Sequence, residues 1–137
     1  MLAPGSMSRS RLAAIALVAV IAGVHFEQYV DFMSQIPTIG VLFLLNAAGG
    51  AGLVFALASR ERVLRLLAAI GAIGLAGGSL VSIAIALSGN FFGYSEPTLR
   101  LPIVIAILAE VAAIPLLAQL ARRDAWGDVP PVASPQP

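Results

Sequence analysis

Of 137 residues, 59% are hydrophobic and only 11% charged, with eight arginines, seven acids, no lysine and no cysteine. No soluble core of this length needs so much apolar material. The net charge of +1 leaves no nucleic-acid footprint. The missing cysteines exclude disulfides, thiolate metal centres and thiol redox chemistry.

Met1 to Ser10 is too short and polar to build a core and reads as a disordered leader. Four apolar runs follow, at about residues 12–30, 38–58, 66–87 and 99–120, each close to the roughly 20 residues that cross the hydrocarbon of a bilayer. Their alanine, leucine and glycine content lacks the alternation of barrel strands. The expected fold is therefore an all-α integral membrane protein, a four-transmembrane-helix bundle over residues 11–122. Residues 123–137, with Pro130, Pro131, Pro135 and Pro137, read as a disordered tail.

Seven of the eight arginines fall on one side of this arrangement: Arg9 and Arg11 before the first run, Arg60, Arg62 and Arg65 between the second and third, Arg122 and Arg123 after the fourth. An excess of positive charge in short loops marks the cytoplasmic face, so both termini are expected inside. Arg9 and Arg11 followed by Leu12 to Val24 also fit a signal peptide. However, no small-residue cleavage site precedes His25 to Asp31, and removing the first run would invert the charge pattern.

Within the spans, Pro37 and Pro102 stand in first helical turns, where the absent N–H costs little. Pro115 lies inside the fourth and is expected to kink it near Glu110 by freeing the Val111 carbonyl. Gly49, Gly50 and Gly52 in the second run, with Gly71, Gly74, Gly77 and Gly78 in the third, predict close packing of these two helices. Gly74 and Gly78 form a GxxxG pair. The same face would also serve a homo-oligomer.

Glu110 is the most informative residue. A carboxylate near the bilayer centre costs several kcal/mol, so it is expected to face the bundle interior and find a partner. At about 1.5 Å per residue, His25, Asn46, Ser79 and Glu110 each stand roughly 18 to 21 Å from the nearest arginines of their own helices, one polar residue per helix in one layer. His25, Gln28, Tyr29 and Phe32 share a stripe that extends the layer outward through Tyr29, as Ser82 does from Ser79. The bland alternatives are an interfacial end for the first helix, with Tyr29 in an aromatic belt, and serines bonded to their own backbone.

No catalytic residue, cofactor or metal site is expected. One histidine cannot supply two axial imidazoles, and the glycines lie inside a span rather than in a phosphate loop. The segment Gly89 to Thr98, with Phe91, Phe92 and Tyr94, fits an interfacial hairpin or lid, and Glu96 before Pro97 helps start the last helix.

His25, Tyr29, Ile36-Pro37-Thr38-Ile39-Gly40 and Leu42-Phe43-Leu44-Leu45-Asn46 resemble a pattern in small, uncharacterised four-pass membrane proteins of high-GC Gram-positive bacteria. The exclusive use of arginine agrees with such an actinobacterial source. The resemblance implies the fold and a plasma-membrane location, and no chemistry.

Three function classes remain. One is a structural or accessory subunit, with the lipid bilayer and a membrane-protein partner or second copy around it. Another is a proton- or small-solute-linked carrier or channel using Glu110 and His25. The last is a quinone- or lipid-facing enzyme subunit.

Overall fold

The computed structural model describes residues 7–127. The chain forms α1 (Arg9–Asp31), a 3-10 turn (Met33–Gln35), α2 (Pro37–Ala58), α3 (Arg62–Ser88) and α4 (Leu101–Trp126). All four helices are long and apolar enough to cross a membrane. They form an up-and-down ring in which α1 packs on α2 and α4, and α4 on α3. The α2–α3 seam is the least extensive contact.

The surface explains why the chain has no hydrophilic exterior. Large apolar side chains such as Phe26, Leu45, Phe55, Val81, Leu108 and Val111 are exposed, while the centre is built mainly from alanine. Ala14, Ala69, Ala76, Ala113 and Leu117 are completely buried. Lipid is as apolar as leucine, so helices associate by close approach rather than by hiding oil, and small residues allow it.

Among the helix boundaries that differ from the sequence expectation, two have a visible cause. α1 begins at Arg9 because Ser8 caps it, its hydroxyl accepting from the Arg11 amide at 3.3 Å. α4 continues to Trp126, past the expected start of the tail at residue 123, because α3 holds its end. Arg65 grips Asp124 through Nη2 to Oδ1 at 2.6 Å and Nε to Oδ2 at 3.2 Å. Arg62 donates to the carbonyls of Asp124 and Ala125. The remainder of the leader and tail expectations, residues 1–6 and 128–137, lies outside the described residues.

Arg11 also donates to the carbonyls of Leu57, at 2.7 Å, and Ser59. Basic side chains thus tie the start of α1 to the end of α2, and the start of α3 to the end of α4. This is the arginine end. At the opposite, hairpin end, Pro37 opens α2 and Gly40 admits the 3-10 turn, since a Cβ there would meet the Met33 carbonyl oxygen at 2.7 Å.

Two glycines do meet the facing helix across the α2–α3 seam, a Cβ at Gly71 standing 3.2 Å from Leu53 and one at Gly49 3.4 Å from Leu75. A tighter approach is between α1 and α2 at Gly50, where a Cβ would stand 2.8 Å from that of Ala22. Added Cβ atoms at Gly52, Gly74 and Gly78 would meet nothing within 4 Å among the described residues. In this monomer the GxxxG pair lines a gap between α2 and α3 instead of closing it. The fourth helix runs as a single element through Pro115.

Candidate functional site

Glu110 points inward and is 1% exposed. It lines a cavity of about 50 Å³ together with His25 and Gln28 of α1, Phe43 of α2, Ser79 of α3 and Ile107 of α4. Its Oε1 is buried and has no hydrogen-bond partner among the described residues. Three of the four residues in the predicted polar layer therefore share one space.

His25 organises that space. Its Nδ1 lies 2.9 Å from the Ile21 carbonyl of the preceding turn, and a carbonyl can only accept, so Nδ1 carries a proton. In the neutral ring Nε2 is then an acceptor, and it stands 3.2 Å from the Ser79 hydroxyl, which donates to it. Phe43 packs on the imidazole with ring centres 5.1 Å apart. The ring is fixed from α1, α2 and α3 at once.

Behind this group lies a second, larger cavity of about 400 Å³ in the α2–α3 seam. His25, Phe43 and Ser79, with Ile83 and Ile103, line both spaces and form the partition between them. Asn46 lines the seam cavity and not the Glu110 cavity, and its Oδ1 is buried without a hydrogen-bond partner among the described residues. The layer is thus split into a Glu110 side and an Asn46 side.

Tyr29 does not join either cavity. It is half-buried, whereas Gln28 is 3% exposed and takes the inward position, its amide donating to Glu27 Oε2 at 2.6 Å. The helical stripe contained both residues, and only the rotation of α1 decides between them. Ser82 lines the seam cavity but donates to the Gly78 carbonyl at 2.8 Å, the local bond serine commonly makes in a helix.

Glu96 is the residue whose role the sequence reading missed. It is 4% exposed and lines the seam cavity at the hairpin end, where Arg100 donates to its Oε2 at 3.0 Å and Tyr94 donates through its hydroxyl. Its backbone amide is tied to the Ala86 carbonyl at 2.9 Å. Burial raises the Glu96 pKa, but the hydrogen bonds from Arg100 and Tyr94 outweigh it and hold the carboxyl below its ordinary value. Burial first, and the hydrogen bond to Glu96 second, push Tyr94 up to about 12. The signal in the sequence was Arg100 four residues after Glu96.

Phe91 and Tyr94 exchange backbone hydrogen bonds at 2.7 and 3.0 Å around Phe92 and Gly93. Both turn residues have positive φ, 51° and 84°, so the hairpin bends tightly over the cavity mouth. Phe92 is a bulky residue in the left-handed region, a strained placement, and its ring is exposed.

Toward the arginine end the bundle is filled. Ile21, Ala72, Ala76, Ala113 and Leu117, each at most 1% exposed, occupy the core. Beyond them a hollow of about 230 Å³ at the tip is bordered by Arg11, Arg65, Arg123 and Asp124. The site therefore belongs to the hairpin half. No protein-family model matches the chain, and neither a curated protein nor a solved structure resembles it significantly.

Proposed function

We propose that the chain is a small accessory subunit of a bacterial plasma-membrane complex, with both termini cytoplasmic and a one-sided polar site around Glu110 opening toward the external half. The seven arginines gathered at one end support this orientation. The observation that carries the reading is the contrast along the bundle axis. Buried polar side chains and cavities occupy the hairpin half, and a packed, mainly alanine core separates them from the hollow at the arginine tip. A one-sided site suits a subunit that binds and holds, since conduction requires continuity through both halves.

Affinity purification of the full chain from native membranes in mild detergent, after crosslinking, tests this. A stoichiometric membrane-protein partner is expected, and recovery of the isolated chain alone overturns it. Reporter fusions at the two termini should both give a cytoplasmic signal.

One observation favours a second reading, a proton-linked carrier. The unpartnered Glu110 Oε1 lies in one cavity with Ser79, which donates to His25, so a titratable carboxyl and a hydrogen-bonded pair are adjacent. Under this reading Glu110→Gln abolishes pH-driven flux in proteoliposomes, and unchanged flux rejects it.

A further inference from the structure

The seam cavity has a composition that Glu110 does not explain. It is walled by Leu42, Leu45, Leu75 and Ile83, and floored along α3 by Gly74 and Gly78, whose missing side chains create its width. At about 400 Å³ it falls in the size range of small-molecule sites, which are mostly apolar with a few placed polar groups.

Those polar groups have a definite bias. Glu96 is already held by Arg100 and Tyr94. The Ser82 hydroxyl proton is committed to Gly78, and His25 is committed on both nitrogens. What remains is the Asn46 amide, whose Nδ2 can donate and whose Oδ1 is an acceptor buried without a donor among the described residues. Leaving such a group unmade costs about 1–3 kcal/mol, and an occupant carrying a hydroxyl removes that cost. A formal charge on the occupant would find no unpaired counter-ion in the lining.

We propose that the α2–α3 seam binds a small, neutral, largely apolar hydroxyl compound, whose O–H donates to Asn46 while its hydrocarbon body lies along Gly74 and Gly78. The exposed seam gives it a lateral entrance from the bilayer. The occupant sits on the Asn46 side of the His25–Phe43–Ser79 partition and does not require Glu110, so the inference goes beyond the accessory-subunit reading and can stand or fall without it.

The test uses the full chain in lipid nanodiscs and two probes that differ in the donor alone, 4-pentylphenol and 4-pentylanisole. Binding is measured by equilibrium dialysis and corrected for partition into empty discs. The phenol is expected to bind about tenfold tighter, corresponding to about 1.4 kcal/mol. In Asn46→Leu the two probes should bind alike, because the acceptor is gone while the apolar wall remains. In Gly78→Leu, where the new side chain starts in open space, both probes should be lost with the helical circular dichroism unchanged.

Equal binding of phenol and ether to the unaltered chain overturns the proposal. So does a phenol preference that survives in Asn46→Leu, or binding that is indifferent to Gly78→Leu. Copurification reads complex assembly and dialysis reads a small molecule, so failure of one is distinguishable from failure of the other.

Discussion

The arginine half and the hairpin half of this bundle are made from similar helices and solve opposite problems. In the arginine half, alanines let four backbones converge, and arginines collect the carbonyls and the Asp124 carboxylate at its end. In the hairpin half, the ring of helices loosens along the α2–α3 seam, glycines leave volume unfilled, an asparagine and a histidine face that volume, and Glu110 faces the smaller space on the other side of the histidine. Small residues thus have two uses in this bundle. They bring helices together where the neighbour comes close, and they open a cavity where it does not.

The largest expected effect breaks the closed half. Gly50→Val should cost about 3 kcal/mol, because its Cβ alone already meets Ala22 at 2.8 Å and overpacking of a filled core typically costs about 1–3 kcal/mol. Gly74→Ala, in the open seam, is the matched control. It should be neutral or stabilising by up to about 1 kcal/mol, since alanine is the better helix former and nothing obstructs it. Reversible unfolding in detergent measures both, and equal costs would erase the distinction between the halves.

A smaller effect is expected at the hairpin end. Glu96→Gln should cost about 2 kcal/mol by removing charge-assisted bonds to Arg100 and Tyr94. The same clamp predicts a pH dependence. A carboxyl held below its ordinary pKa contributes stability that is present above the unfolded value and lost as pH falls through the folded one. Acid scans should therefore destabilise the unaltered chain below the ordinary carboxylate range and affect Glu96→Gln less. Identical acid responses would remove Glu96 from the account.

The smallest effect is a gain. Phe92→Gly relieves a positive φ of 51° and should stabilise the hairpin by about 1 kcal/mol. A loss of stability would mean that the exposed ring is held by contacts worth more than the strain.

Much of the architecture was readable before any coordinates. Four apolar runs of bilayer length, separated by clusters of arginine, leave few alternatives, because an unsatisfied backbone cannot sit in hydrocarbon and helices satisfy their own. The depth of the polar layer was also readable, since helix rise is constant and the arginines supply a common origin. Glu110 needed no geometry to be singled out. Its rarity in such a setting was enough.

Rotation about each helix axis could not be read in the same way. An amphipathic helix in water announces its buried face, but α2 is apolar all round, so nothing in its pattern says that Asn46 faces the seam instead of Glu110. Only packing decides that Gln28 turns inward and Tyr29 does not. Sequence likewise cannot distinguish a glycine that receives a neighbouring helix, as Gly50 does, from one that leaves a void, as Gly78 does. Composition and spacing determined that the chain forms four helices long and apolar enough to cross a membrane and at what height along them the polar groups lie, because these follow from lengths and solvation. Which groups meet, and where space is left for something else, was decided by the tertiary contacts, because they depend on helix rotation and separation that a uniformly apolar pattern does not encode.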